Sequence, residues 1–196
     1  MSKRISRARE ADCDAMTAAF AEFLRAAGFD PEVEPHLERT AQRVAEAWSR
    51  DLLGGYDVDP IAALGSTFPA EHNDRVVVRD IEFFSSCPHH LLPYRGTARL
   101  AYVPDKLGVG FSGLVRLVDA LAHRLTLQEW LARDIVGVLN DVLAPKGAGC
   151  VIEATPMCVL VQGVKRPCSI ETAAWSGCFE DDPSLRTTTF GSSRNE

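Results

Sequence analysis

The order of patterned segments predicts an α+β fold, in which antiparallel strands carry helices on one face of a sheet. Helical patterns come first in the chain, then two strand patterns, two further helices and a return to strand. β-branched and aromatic residues dominate 75–84, and 96–104 shows strand alternation that Pro104 ends. We therefore predict two strand pairs flanking a helix pair, in the order α-α-β-β-α-α-β-β.

The N-terminal region, residues 1–65, is predicted to be helical. Apolar residues recur at helical spacing over 14–27, and a second such pattern runs from Pro35 to the pair Gly54 and Gly55. Residues 56–74 are predicted to be irregular because prolines and glycines interrupt the segment.

Residues 66–185 are predicted to form the main domain, and 186–196 a polar tail. Two amphipathic helices are expected at 112–125 and 127–144, and 149–164 is expected to return to strand.

Composition narrows the classes of function. The formal net charge is -6, which argues against general nucleic-acid or acidic-membrane binding. We find no apolar stretch long enough to cross a bilayer, and the polar first residues lack the apolar core of a signal peptide. A cytoplasmic protein is expected, whose 6 cysteines are mainly thiols or metal ligands.

The stretch SSCPHHLLPY contains a candidate metal pair, Cys87 and His90. Zinc prefers Cys and neutral His ligands, and a catalytic zinc keeps one open position beside three protein donors. By itself a C-x-x-H pair equally fits a buried thiol beside a surface histidine. The third donor must come from elsewhere, and Cys158 on a predicted strand is preferred. The competing donors are Cys13, Cys150, Cys168 and Cys178.

Three linked motifs resemble the GTP cyclohydrolase I family: DIEFFSSCPHHLLPYRGTARLAYVP, FSGLVRLVDALAHRLTLQEWL and IEATPMCVLVQGV. The resemblance covers roughly residues 35–180. It implies the tunnelling fold, in which sheets from several subunits close a barrel, with active sites at subunit interfaces. It also implies a homo-oligomer, a decamer of two facing pentamers.

The resemblance also implies roles for individual residues and a reaction. Zinc-activated water attacks C8 of a guanine-type purine, formate leaves, and the family reaction continues to dihydroneopterin triphosphate. The implied zinc ligands are Cys87, His90 and Cys158, the acid-base residue is His89, the guanine-binding pair is Gln128 and Glu129, and the phosphate-side residues are Ser112 and Arg116. Without the resemblance, Ser112 is expected to be a helix N-cap, and Arg116, Gln128 and Glu129 are expected to be surface residues.

The sequence departs from the family pattern at several positions. A family histidine is replaced by Pro156, a triphosphate-binding arginine by Gln162, and basic residues by Gly113 and Glu46. These changes predict a divergent zinc hydrolase that takes a guanine-type purine with fewer phosphates or stops before the pterin. One alternative is ordinary GTP cyclohydrolase I activity, with His123 or a water replacing the lost histidine. Another is a non-catalytic, zinc-stabilised assembly that binds purine.

Overall fold

The computed structural model describes residues 10–162, 165–166 and 168–191. It confirms the α+β class, with a four-stranded antiparallel sheet in the order β2-β3-β5-β6 and a separate two-stranded ribbon, β1-β4. The helices are α1 Cys13–Ala26, α2 Thr40–Glu46, α3 Pro60–Leu64, α4 Phe111–Ala122, α5 Gln128–Leu143, α6 Met157–Val161, α7 Cys178–Asp181 and α8 Pro183–Phe190. The strands are β1 Thr67–Pro69, β2 Val76–Ser86, β3 Pro93–Val103, β4 Leu107–Val109, β5 Gly147–Pro156 and β6 Ile170–Gly177.

The N-terminal helices differ in detail from their prediction. The second helix is α-helical only through α2 and continues as a wide π-helical turn, Ala47–Leu52. The stretch predicted to be irregular contains α3, which begins where Asp59 accepts a hydrogen bond of 3.0 Å from the Ile61 backbone N–H. Pro60 occupies the first helical position, where its missing N–H costs nothing.

The main core lies between the sheet and the helices α4 and α5. Alternate residues of β3, Ala98, Leu100 and Tyr102, point into this core, as do Cys150 and Ile152 of β5. Each of these residues is at most 2% exposed. Burial of apolar side chains at this scale, about 25 cal/mol per Å², is the main force that holds the helix pair on the sheet.

Helices also cover part of the opposite sheet face, which corrects the prediction that they lie on one face only. Phe179 and Phe190 pack there against Ala101 and Val151. Residues 186–190 of the segment predicted as a polar tail lie in α8, whose Phe190 is 6% exposed. The sequence 183–191 is polar on average, and its one aromatic residue, Phe190, becomes buried because it packs against the sheet.

The predicted strand at 149–164 ends early. β5 stops at Pro156, and Cys158 lies on the short helix α6. The neighbouring strand β3 pairs with β5 as far as Tyr94 opposite Pro156 and begins at Pro93, so little ladder remains to continue. Proline also has no N–H to donate to that ladder. The last part of the predicted strand, residues 163–164, lies outside the described residues.

All six cysteines fall within the described residues and are free thiols, in agreement with the expectation. Cys150, one of the competing metal donors, is fully buried in the main core. Within the described ranges, no helix is both long and apolar enough to cross a membrane.

Candidate functional site

One end of the sheet brings the proposed metal donors together. Ser86, the last residue of β2, pairs with Pro93 at the start of β3, and Tyr94 pairs with Pro156 at the end of β5. Cys87 follows β2 directly, and Cys158 follows β5 by two residues. The antiparallel register therefore places both thiols at the same end of the sheet, although they are far apart in sequence.

The connection between β2 and β3 is a tight turn that carries both histidines. The Cys87 N–H donates to the Leu92 carbonyl, and the Leu91 N–H donates to the Cys87 carbonyl, each at 3.0 Å. Leu91 has a φ of 54°, a left-handed conformation that costs a non-glycine residue about 1 kcal/mol. The turn holds Cys87 half-buried at its base, while the rings of His89 and His90 are exposed with centroids 6.4 Å apart.

The chemistry of the donor set fits zinc, because two thiols and one imidazole form an open catalytic-type set. Cys87 and His90 share one turn, and Cys158 lies half-buried at the same sheet end. In the described part of the chain, however, no group of three or more His, Cys, Asp or Glu side chains is arranged closely enough to hold an ion.

Tyr94 connects this end of the sheet to α5. Its hydroxyl donates to the Thr126 carbonyl at 3.2 Å, and the Thr126 N–H donates to the Ser86 carbonyl at 3.1 Å. Leu125 forms a parallel bridge with Ser86. These contacts fix the segment just before α5, and so they set where Gln128 and Glu129 begin the helix.

Two candidate groups act electrostatically on Tyr94. Burial raises the pKa of the Tyr94 phenol well above its ordinary value; the Ser85 hydroxyl opposes this, while the charges of Cys87 and Glu129 add to it. The contacts of Ser86, which precedes Cys87, with Leu125 and Thr126 place the start of α5 next to this sheet end. At pH 7 Tyr94 is neutral and serves as a hydrogen-bond donor.

Gln128 and Glu129 differ in their surroundings. The Gln128 side-chain amide donates to the carbonyls of Ile152 and Ile170, at 2.9 and 2.7 Å. It therefore fastens the start of α5 across β5 and β6. Glu129 is exposed at the same helix start and is available to a ligand.

The phosphate-side candidates lie on α4. The N-cap of this helix is Gly110, so Ser112 lies inside the first turn, and the N-cap role expected from sequence alone is wrong. Arg116 is exposed, and its Nε donates to the Ala63 carbonyl at 3.0 Å. Arg116 and His123 line a cavity of about 740 Å³ between α4 and the segment 50–63.

His123 is held within that cavity rather than at the sheet end. Its Nδ1 lies 3.1 Å from both the carboxylate and the carbonyl of Asp119. His123 is therefore already paired with Asp119, which gives no support to the alternative in which it replaces the lost histidine.

The departures from the family pattern also have structural settings. Gly113 is buried, and a Cβ at this position would lie 2.0 Å from the Leu64 carbonyl oxygen, so α3 closes over it. Pro156 is the N-cap of α6. Gln162 is exposed just after α6, and Glu46 on α2 accepts a hydrogen bond of 2.9 Å from Gln42.

Sequence reasoning missed Tyr94 and Thr126, the pair that joins the sheet end to α5. An available signal was the aromatic residue that follows the HHLLP turn directly, because a strand-initial tyrosine beside polar residues usually needs a partner for its hydroxyl. Nothing in the sequence pattern identified Thr126, whose contribution is a backbone carbonyl.

Comparison with known proteins agrees with the motifs. The profile of the GTP cyclohydrolase I family matches residues 16–194. The chain is 41% identical over 184 residues to GTP cyclohydrolase 1 of Chromobacterium violaceum, covering 93% of this chain and 88% of the relative. It is 40% identical over 187 residues to the enzyme of Ralstonia nicotianae, covering 95% and 89%.

A third relative and one solved structure are also similar to the chain. GTP cyclohydrolase 1 of Gloeobacter violaceus is 43% identical over 175 residues, covering 88% of this chain and 81% of the relative. The crystal structure of an archaeosine synthase QueF-Like in the apo form aligns with a TM-score of 0.42 and 19% identity, covering 55% of this chain and 96% of that chain.

Proposed function

Because the chain belongs to the GTP cyclohydrolase I family of hydrolases, we propose that it opens the imidazole ring of a guanine nucleotide by hydrolysis at C8, as in GTP cyclohydrolase I activity. The observation that carries this proposal is the contact between the sheet end and the start of α5. The Thr126 N–H donates to the Ser86 carbonyl at 3.1 Å, and Ser86 directly precedes Cys87 while Thr126 lies three residues before Glu129. A metal-binding thiol and a purine-binding carboxylate belong to one site only if they are neighbours.

Cys87, His90 and Cys158 are proposed to hold zinc. When bound, zinc supplies a water molecule of lowered pKa as the nucleophile. The strained turn that carries Cys87 and His90 supports this assignment, because backbone strain of this kind concentrates at functional sites.

The other candidate residues bind substrate and move protons. Glu129 accepts hydrogen bonds from the N1–H and 2-amino group of guanine, and Gln128 holds Glu129 in place through its two bonds to strand carbonyls. His89 exchanges a proton with N7. Water oxygen bonds to C8, the C8–N9 bond breaks and N9 takes a proton. The oxygen of a second water then bonds to C8, the C8–N7 bond breaks, N7 takes a proton and formate leaves.

The assembly is proposed to be a homo-oligomer with the tunnelling fold, a decamer of two pentamers. Support comes from the open sheet, whose outer strands β2 and β6 each have one hydrogen-bonded neighbour within the described chain. Unpaired edges of this length invite pairing with another copy. Native mass spectrometry counts the subunits, and a monomer at micromolar concentration would contradict the assembly.

The test of activity is incubation of the zinc-loaded protein with guanine, guanosine, GMP and GTP, with formate measured enzymatically and products by mass spectrometry. Formate release from at least one of these is expected. Cys87→Ser and Cys158→Ser should lose both zinc and formate release. Cys178→Ser should keep both, because Cys178 follows Gly177, which pairs with Gly147 at the opposite end of the sheet. Full zinc content in Cys158→Ser, or no formate from any purine, would rule the proposal out.

A second candidate, arrest at the ring-opened stage, is favoured by Pro156. Proline cannot transfer protons, and here it also caps α6 two residues before Cys158. Under this alternative, GTP yields a formamide or formate without a fluorescent pterin. Pro156→His should then raise the ratio of pterin to formate, and a pterin from the wild-type protein at the same rate as formate would exclude arrest.

A further inference from the structure

A buried arginine, Arg124, lies in the loop that connects α4 to α5, and it is 5% exposed. Its Nε donates to the Gly55 carbonyl at 2.9 Å, and its Nη2 donates to the Val58 carbonyl at 2.9 Å. The guanidinium also lies over the Tyr56 ring, 5.4 Å from the ring centroid. Because a buried charge is costly unless its donors are satisfied, these contacts fix Arg124 against the segment that carries its acceptors.

The same segment, residues 54–58, also meets the loop through its backbone. The Gly55 N–H donates to the His123 carbonyl at 2.9 Å, and a Cβ on Gly55 would lie 2.7 Å from the oxygen of that carbonyl. A side chain at position 55 therefore does not fit, and the two backbones are in direct contact. Two consecutive residues, His123 and Arg124, thus hold one side of the loop 123–127 on the segment 54–58.

The sheet end holds the other side of the loop 123–127. The Thr126 N–H donates to the Ser86 carbonyl at 3.1 Å, and Leu125 forms a parallel bridge with Ser86. The Thr126 carbonyl accepts from the Tyr94 hydroxyl at 3.2 Å. The loop is therefore fastened on two sides, to the N-terminal region through Arg124 and to the sheet end through Thr126.

The start of α5 follows this loop directly. The N-cap of α5 is Leu127, whose apolar side chain cannot accept a hydrogen bond from the first turn. The first turn therefore takes its position from the loop and from the two bonds of the Gln128 amide to strand carbonyls. Glu129 follows Arg124 by five positions, so little backbone lies between them to absorb a shift of Arg124.

We propose that Arg124 is a positioning residue for purine binding, which fixes the place of Glu129 by fastening the loop 123–127 to the segment 54–58. The inference rests on the proposed function, in which Glu129 accepts hydrogen bonds from the guanine edge. Arg124 acts through the intervening backbone, because its guanidinium is buried against carbonyls of the segment 54–58. Placement matters at this scale, since an error of about 1 Å in a binding group can cost up to about a hundredfold in rate.

The experiment measures KM and kcat for GTP in the zinc-loaded protein, with formate release as the readout. Arg124→Lys keeps the charge but loses the planar fork that reaches two carbonyls, so KM should rise about tenfold while kcat changes by less than about twofold. Zinc content should stay at the wild-type level, because none of the proposed zinc ligands lies on the loop. Tyr56→Leu removes only the ring beside the guanidinium, and it should raise KM by about threefold.

The matched control is Arg99→Lys. The Arg99 side chain is 12% exposed, and it donates to the Phe190 carbonyl and to the Glu171 carboxylate, each at 2.9 Å. These contacts lie on the sheet face opposite the main core, away from the loop 123–127. Arg99→Lys should therefore lower the free energy of unfolding, measured in urea, by an amount similar to Arg124→Lys, and it should leave KM unchanged.

A double variant tests whether Arg124 acts through Glu129. Effects of residues that act on one another are not additive. Arg124→Lys combined with Glu129→Gln should therefore have a kcat/KM within about twofold of Glu129→Gln alone. A variant that merely weakened the fold would instead lower kcat/KM by the same factor in both backgrounds.

The outcomes separate this inference from the proposed function. Additive losses in the double variant would overturn the inference while leaving ring opening intact. An unchanged KM in both Arg124→Lys and Tyr56→Leu, or an equal rise of KM in Arg99→Lys, would do the same. Absence of formate from the wild-type protein with every purine would overturn the proposed function itself.

Discussion

The hydroxyl of Tyr94 donates a hydrogen bond of 3.2 Å to the backbone carbonyl of Thr126. This bond joins the start of β3 to the segment that precedes α5. Through it, the sheet end that carries the proposed metal donors is fixed relative to the helix that begins with Gln128 and Glu129.

Replacing Tyr94 with phenylalanine should leave the Thr126 carbonyl without its partner. We expect the free energy of unfolding to fall by about 1–2 kcal/mol, and KM for the purine to rise because α5 begins less firmly. Urea unfolding and steady-state kinetics measure the two effects.

The control for Tyr94→Phe is Tyr102→Phe. Tyr102 is also buried, and its hydroxyl accepts from the Val109 N–H at 3.3 Å, away from the sheet end. It should lose similar stability with no change in KM. An equal rise of KM in both variants would show that Tyr94 has only a structural role.

Gln128 and Glu129 should respond in opposite ways to exchange of amide and carboxylate. Gln128→Glu places a carboxylate against two strand carbonyls and removes both hydrogen bonds, so we expect a loss of about 2–3 kcal/mol in the free energy of unfolding. Glu129→Gln changes an exposed side chain and should change the free energy of unfolding by no more than about 0.5 kcal/mol. The kcat/KM for formate release should fall at least tenfold. Full activity in Glu129→Gln would show that Glu129 does not bind the substrate.

Adding one methyl group at Gly113 should be costly, because the new Cβ meets the Leu64 backbone oxygen and that wall cannot rotate away. We expect Gly113→Ala to lower the free energy of unfolding by about 1–3 kcal/mol. Gly137→Ala in α5 is the matched control, since its Cβ meets nothing within 4 Å. That change should stabilise the protein by up to about 1 kcal/mol. Stabilisation by both substitutions would show that α3 does not rest on α4.

Stability should decline in alkaline solution through Cys150. Burial raises the pKa of the Cys150 thiol above its ordinary value, so the folded chain keeps a proton that the unfolded chain releases above about pH 8.5. The folded state then binds more protons, and the free energy of unfolding falls as pH rises, by up to about 1.4 kcal/mol per pH unit.

The measurement is urea unfolding at pH 7.5 and 9.5. In Cys150→Ala, the free energy of unfolding should differ less between the two pH values than in the wild-type protein, although this variant is less stable at both. Cys168→Ala should keep the wild-type difference in the free energy of unfolding. An unchanged difference in Cys150→Ala would contradict the assignment.

The sequence by itself determined the α+β class, the helix pair α4 and α5 between the strands, and the two faces of the central strands, because hydrophobic period and turn residues are local properties. It did not indicate α3, the ribbon β1-β4 or the short helices α6 to α8. It also brought Cys87 and His90 into one turn, since they are separated by two residues. Local patterns could not show that β5 ends at Pro156, because the length of a strand depends on where its neighbour β3 begins.

Only the tertiary structure decided which distant groups share a site. The register of β2, β3 and β5 places Cys158 at the same sheet end as Cys87, and the hydrogen bond from the Thr126 N–H to the Ser86 carbonyl places the start of α5 beside it. It also decided that Gly113 is closed by a carbonyl from α3 and that Phe190 anchors α8. Such contacts join residues far apart in the chain, and their energies depend on packing that no local pattern records.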